Sequence, residues 1–184
     1  MRIEKVISGG QTGADRAALD AAIAAGIPHG GWCPRGRIAE DGRIADRYKL
    51  RETSSNGYPE RTRMNVADAD ATLILFFSGH RVRGELTGGT RLTEKIATGI
   101  VGFAVKPCLS IDPASSDPAI VTSWLTRNLA GVRRWERGAT GLALDSLILN
   151  VAGPRESKQP GIYAASLAFM TLLLSSPGRN EARR

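Results

Sequence analysis

Short apolar runs recur along this chain and are separated by longer amphipathic or polar stretches. Four of the runs cover residues 3–7, 71–77, 106–111 and 146–151. Mainly apolar runs of this length are typical of strands that are buried on both faces of a parallel sheet. A short fifth strand is expected around residues 31–33.

Amphipathic stretches between the runs predict helices over residues 14–25, 91–101, 117–129 and 161–174. Pro118 follows an aspartate at the start of the third helix, a position where proline is favoured. The alternation of strands and helices implies right-handed crossovers. The predicted fold class is therefore α/β, a doubly wound and mainly parallel sheet with helices on both faces.

The length of 184 residues suits one domain with a core of its own. We expect this domain to cover residues 1–178, followed by a basic tail at residues 179–184. The polar segment 34–60 has no periodic pattern, so it predicts a long loop over the sheet edge, and such insertions are often functional. The apolar helix over residues 161–174 is too short to span a bilayer. It is either a core helix or one that is also buried in a subunit interface.

Charge and cysteine content narrow the class of partner. The net charge of +7 comes from 20 arginines and 5 lysines scattered among 18 acidic residues, and 10 residues are aromatic. This pattern lacks the aromatic-studded basic stripe of single-strand nucleic-acid binders, whereas guanidinium groups suit discrete phosphates or carboxylates. Cys33 and Cys108 lie far apart, and no cysteine or histidine motif has zinc spacing. Without an apolar leader, we expect a cytoplasmic protein that binds a phosphorylated small molecule, neither nucleic acid nor membrane.

The loop after the first strand, residues 8–16, has the composition of an anion-binding turn and reads SGGQTGADR. Its glycines allow main-chain N–H groups to approach an anion, and the helix that follows adds its positive dipole end. The spacing matches neither the dinucleotide fingerprint nor the P-loop. Asp15 is either a first-turn charge or the partner of an arginine, and a plain chain reversal is the alternative for the whole loop. The residues predicted to bind here are Gly9, Gly10, Gln11, Thr12, Gly13 and Arg16.

Two further loops follow predicted strands, TGGTRLTE at residues 87–94 and AGPRESKQPG at residues 152–161. The carboxyl ends of parallel strands meet at one edge, so three loops should converge on one crevice that suits a ligand with several anionic groups. Glu156 is expected to orient Arg155 or Lys158. The residues predicted to bind are Gly88, Gly89, Thr90, Thr93, Gly153, Arg155 and Ser157.

The segment 32–37, WCPRGR, offers an apolar face and guanidinium groups for a flat ring. We predict binding roles for Trp32 and Arg35. Trp32 in the core is the alternative. Cys33 is expected to be a small buried apolar residue, with a ligand contact as the alternative.

Five blocks in order, over residues 5–163, carry a family resemblance: SGGQTGADRAALD, GGWCPRGRIAEDG, ETSSNGYPERTRMNVADADATLI, GGTRLT and NVAGPRESKQPGIY. In these blocks the chain resembles the molybdenum cofactor carrier family, within the superfamily of LOG and lysine decarboxylase-like (SLOG) proteins. The resemblance implies a Rossmann-like fold, a homo-oligomer (dimer or tetramer) and non-covalent storage or delivery of the molybdenum cofactor (molybdopterin), a phosphorylated pterin. It also implies transient contact with molybdoenzymes or cofactor-synthesis proteins. A nucleotide or nucleotide derivative is the alternative ligand.

Phosphoribohydrolases of the LOG type supply the competing enzyme hypothesis, since they carry P-G-G-x-G-T-x-x-E with an essential glutamate. Alignment of Gly89 and Thr90 with that motif puts Thr93 at the glutamate position. Glu94 follows one residue later and is rotated by about 100° on a helix. Cleavage of a sugar bond needs a carboxylate near the anomeric carbon. We therefore expect a binding protein with no assigned catalytic residue rather than a hydrolase of this type. The carboxylates that remain available to another chemistry are Asp15, Glu40, Asp41 and Glu156.

Overall fold

The centre of the fold is a sheet of five parallel strands, in the spatial order His29–Gly30, Arg2–Ile7, Ser146–Ala152, Ala71–Leu75 and Cys108–Ile111. The computed structural model describes residues 2–80, 86–100, 105–129 and 146–175. The strands in these ranges are β1 (Arg2–Ile7), β2 (His29–Gly30), β3 (Trp32–Cys33), β4 (Ile38–Ala39), β5 (Gly42–Arg43), β6 (Arg51–Glu52), β7 (Ala71–Leu75), β8 (Cys108–Ile111) and β9 (Ser146–Ala152). The helices are α1 (Ala14–Ala24), α2 (Tyr58–Asp68), α3 (Gly88–Ala97), α4 (Pro118–Leu129) and α5 (Ile162–Ser175).

Helices cover both faces of this sheet. Leu73 and Leu75 of β7 belong to a core that includes residues of α1, α4 and α5. Ile74, between them, points to the opposite face, where it packs with Leu86. On that second face α2 and α3 pack together through a cluster that includes Val66 and Ile96. The predicted Rossmann-like, doubly wound α/β fold is therefore confirmed.

The four predicted main strands are present, with ends that differ by one or two residues. The predicted fifth strand is divided: β2 joins the main sheet, whereas β3 pairs with β6 in a separate two-stranded sheet. A positive φ of 121° at Gly31 separates β2 from β3. The core role of the apolar helix is confirmed, because α5 buries side chains such as Phe169 and Met170, although Leu172 is 60% exposed.

The prediction of one long loop over residues 34–60 is wrong in part. A hairpin of β4 and β5, the strand β6 and the first turn of α2 lie within it. The sequence of α2 is polar, so it lacks the apolar stripe that predicts a helix. Pro59 lies in its first turn. The predicted basic tail, residues 179–184, lies outside the described residues. No helix in the described part of the chain has the length and apolarity needed to cross a membrane.

Candidate functional site

A cavity of about 380 Å³ opens at the carboxyl ends of β1, β9 and β7. The helix after β1 lies on one face of the sheet, and the helix after β7 lies on the other. In open α/β sheets this is the place where ligands bind, because loops on either side diverge and leave a crevice. The three loops singled out in the sequence all contribute to the cavity wall.

The N-terminus of α3 forms one side of the cavity. Thr87 precedes the helix in an extended conformation, and its side chain makes no capping hydrogen bond. Gly88 has a φ of +57°, which glycine tolerates at little cost. The first N–H groups of a helix have no intrahelical acceptor, so this end of α3 offers donors and a positive dipole to the cavity.

Cations dominate the charged groups of the cavity wall. Arg61, Arg155 and Lys158 line it. Among the described residues that line the cavity, Asp15 is the one that carries a carboxylate. The Arg155 guanidinium lies 4.8 Å from the ring centroid of Tyr58, a cation–π contact that orients it. The cavity is therefore suited to an anionic group.

Asp15 and Arg61 form an ion pair at the cavity wall, with 2.9 Å between Arg61 Nη1 and Asp15 Oδ2. The Asp15 carboxylate also accepts the main-chain N–H of Gln11 at 3.3 Å. Burial raises the pKa of Asp15, and the nearby Arg61 charge lowers it by less. Of the alternatives left open for Asp15 by the sequence, the structure shows the pairing with an arginine, and the residue also lies in the first turn of α1. Its partner Arg61 was not among the predicted site residues, because it lies on the unpredicted helix α2.

The glycines of the first loop serve close packing in the structure. A Cβ added to Gly9 would lie 1.5 Å from Arg61 Nη1, and one on Gly10 would lie 2.5 Å from Leu50 Cδ1. A Cβ on Gly13 would meet the carbonyl oxygen of Pro154 at 2.4 Å. The three glycines are not among the residues that line this cavity. Their predicted role as an anion cradle stays a prediction.

The structure brings about half of the predicted binding residues to the cavity. Those that line it are Gln11, Gly88, Gly89, Thr90, Thr93, Gly153 and Arg155. Those that do not line it are Gly9, Gly10, Thr12, Gly13, Arg16, Trp32, Arg35 and Ser157.

Partners outside the cavity hold three of the remaining side chains. Arg16 binds Asp41 through a pair of hydrogen bonds, one of them with 2.7 Å between Nη2 and Oδ1. The hydroxyl groups of Thr12 and Ser157 both donate to the carboxylate of Glu40. These contacts tie the first and last loops to the hairpin of β4 and β5.

Trp32 lies away from the cavity and is half-buried, so neither of its predicted positions describes it fully. Its indole N–H donates to Asp68 at 2.9 Å, and the Arg51 guanidinium lies 4.3 Å from a ring centroid. Arg35 is exposed. Cys33 is a buried member of a small apolar cluster, as expected.

Glu156 has a different role from the predicted one. Its carboxylate accepts the main-chain N–H groups of Gly161 at 2.5 Å and Tyr163 at 2.9 Å. It therefore satisfies donors at the start of α5, which lack intrahelical acceptors. Among the described residues, no ion pair or side-chain hydrogen bond joins Glu156 to Arg155 or Lys158, so the structure does not show the predicted orienting role.

Thr93 and Glu94 point in different directions, as the helical rotation predicts. Thr93 lines the cavity, and its hydroxyl donates to the Gly89 carbonyl at 3.0 Å. The Glu94 carboxylate accepts the Ser110 hydroxyl of β8 at 3.4 Å and is not part of the cavity wall. Glu94 therefore does not replace the hydrolase glutamate at this site.

Comparisons with known proteins agree with the sequence resemblance. The sequence model of the Circularly permutated YpsA SLOG family matches residues 6–174. The chain is also similar to a solved structure, the "Putative molybdenum carrier protein" from Syntrophus aciditrophicus SB. The sequence identity is 40% and the TM-score 0.75, and the match covers 94% of this chain and 96% of that chain. No curated protein matches.

Proposed function

This chain belongs to the Circularly permutated YpsA SLOG family, and on that premise we propose that its cavity binds the molybdenum cofactor for storage or delivery. The observation that carries the proposal is the convergence of the α3 N-terminus with Arg155 and Lys158 around one cavity. A phosphate group needs such a set of donors and positive charges. The solved relative named as a molybdenum carrier gives the ligand its identity in this proposal.

Apolar groups in the same wall complete the proposed site. Phe76, Leu86 and Ala152 line the cavity beside the charged groups. Ligand cavities commonly combine an apolar surface with a few polar groups that fix orientation. We assign the apolar part to the pterin ring and the cationic part to its phosphate.

The first test identifies the ligand directly. The protein is purified under anaerobic conditions, and the bound small molecule is released and identified by mass spectrometry. We expect a phosphorylated pterin that carries molybdenum or its dithiolene. A nucleotide in its place would overturn the pterin assignment. Only the broader proposal, binding of a phosphorylated heterocycle, would then stand.

The second test measures the binding of molybdenum cofactor, released anaerobically from a molybdoenzyme, to Arg155→Ala. Loss of a charge-assisted hydrogen bond to phosphate should cost about 1.5–3 kcal/mol, or roughly one to two decades of affinity. The Tm should change little, since Arg155 is not part of the apolar core.

Arg16→Ala is the matched control for Arg155→Ala. Arg16 lies near the same loops, but its guanidinium is paired with Asp41 and does not line the cavity. We expect this variant to lose thermal stability and to keep its affinity. Unchanged affinity in Arg155→Ala, or equal losses in both variants, would contradict the proposed site.

A further inference from the structure

Both glutamines of this chain, Gln11 and Gln159, line the proposed ligand cavity. They come from different loops, one after β1 and the other after β9. Both are buried, with exposures of 4% and 8%. A buried amide has to satisfy an oxygen and two N–H donors, so the partners of each end reveal what it offers to a ligand.

The amide oxygen of each glutamine is held by main-chain donors. Gln11 Oε1 accepts the N–H of Thr12 at 3.0 Å and the N–H of Glu40 at 2.9 Å. Gln159 Oε1 accepts the N–H of Phe77 at 2.8 Å. A flipped amide would place its NH₂ group against these N–H donors, so the contacts fix the orientation of both side chains.

The amide nitrogens have fewer partners. Gln11 Nε2 makes one long contact, 3.4 Å to the hydroxyl of Tyr58. For Gln159 Nε2, no hydrogen bond is found within the described residues. Gln159 Nε2 is not among the fully buried polar atoms that lack a partner in the described part of the chain, so it is accessible from the cavity that this side chain lines. A ligand that accepts from it gains a hydrogen bond to a donor that the protein itself leaves free.

We propose that Gln11 and Gln159 determine specificity by presenting a fixed pair of N–H donors to the heterocycle of the ligand. The inference rests on the proposed function. It adds that the protein recognises an edge of the heterocycle that carries hydrogen-bond acceptors. The heterocycle turns carbonyl oxygens or ring nitrogens toward the two amides, and its amino groups point elsewhere. The phosphate is assigned to Arg155, Lys158 and the α3 N-terminus, because charged donors bind an anion more strongly than amides do.

Two substitutions of Gln159 test this assignment. Gln159→Glu keeps an oxygen that accepts the Phe77 N–H and replaces the NH₂ donor with a second acceptor. Gln159→Met has similar length and no charge, and it removes the donor without adding repulsion. The probes are the anaerobically released molybdenum cofactor, neopterin as a pterin without phosphate, and inorganic phosphate. Binding is measured by titration, and Tm is recorded for each preparation.

We expect both variants to bind neopterin and the cofactor about tenfold more weakly than the wild type. Gln159→Met should bind inorganic phosphate as the wild type does. Neopterin affinity within about twofold of wild type in both folded variants would overturn the inference. A loss confined to inorganic phosphate would also overturn it, since the amide would then contact the anion.

The same variants separate this inference from the proposed function. If the wild type binds adenosine monophosphate and neither pterin, the molybdenum cofactor assignment fails. Weaker binding of adenosine monophosphate by Gln159→Met, with unchanged affinity for inorganic phosphate, would still support the donor role. Equal affinity of the wild type and Gln159→Met for that nucleotide would refute it.

Discussion

At the scale of single residues, glycines in the three loops have two different roles. Gly153 allows the last loop to approach its neighbours, since an added Cβ would lie 2.3 Å from the Leu75 carbonyl oxygen and 2.5 Å from Ala14 Cβ. Beyond the adjacent backbone, no atom of the described residues lies within 4 Å of the same position at Gly88 or Gly89, and both glycines line the cavity. The first role supports the fold, and the second leaves the α3 N-terminus accessible.

We expect Gly153→Ala to destabilise the protein by about 1–3 kcal/mol, because backbone atoms of β7 cannot move aside cheaply. For a chain of this size Tm should fall by roughly 3–10 °C. Gly89→Ala is the control, with space for the methyl group and without a positive φ. Thermal unfolding of the two variants measures the difference. Equal Tm values would show that the loops can separate without cost.

The sequence predicted the residue types of the site better than their partners. Arg155 follows a glycine turn at a strand end, so its place near the cavity was predictable from the local pattern. The pairing of Asp15 with Arg61 was not, because 46 positions separate them and the chain has 20 arginines. Only the packing of α2 against the first loop selects Arg61 as the partner.

At the scale of elements, the hairpin of β4 and β5 forms hydrogen bonds to both the loop after β1 and the loop after β9. The Glu40 carboxylate accepts hydrogen bonds from the Thr12 hydroxyl and from both the hydroxyl and the N–H of Ser157. Asp41 on the same turn pairs with Arg16 of α1. A polar segment without periodicity therefore has a structural role that its sequence pattern did not indicate, because side-chain contacts between distant loops leave no local pattern.

Acid should weaken this hairpin contact. Desolvation alone would raise the pKa of Glu40, but hydrogen bonds from Ser157 and Thr12, together with the charge of Arg155, lower it below its ordinary value of 4.5. A lowered folded pKa means that the stabilisation is present above about pH 4.5 and is lost as pH falls through the lowered value.

The check is the Tm of wild type and Glu40→Gln between about pH 7 and pH 3. The wild type should be the more stable protein at neutral pH, and the difference should shrink below pH 4.5, the ordinary value for this carboxyl. Asp41→Asn serves as a comparison on the same turn. A difference that stays constant over the whole pH range would refute an ionised Glu40 as the cause.

At the scale of the whole molecule, strand order creates the site. The last strand of the described residues, β9, lies between β1 and β7, so its loop lies between the loops of the other two. The hydrophobic pattern predicted these strands and their parallel arrangement. It did not predict their order, because crossovers across the sheet depend on how helices pack on each face. The expected homo-oligomer stays a prediction.

Because the cavity joins loops from both halves of the chain, ligand binding should stabilise the whole fold. A ligand that binds only the folded state adds about 2.7 kcal/mol at a concentration about 100 times its Kd. For a chain of this length Tm should rise by roughly 5–10 °C. Thermal unfolding with anaerobically released molybdenum cofactor measures the rise. Arg155→Ala at the same ligand concentration, with its Kd raised by one to two decades, should retain only about 0.4–1.4 kcal/mol of this stabilisation. An equal rise in both proteins would remove Arg155 from the site, and no rise in the wild type would contradict binding of this ligand to the folded cavity.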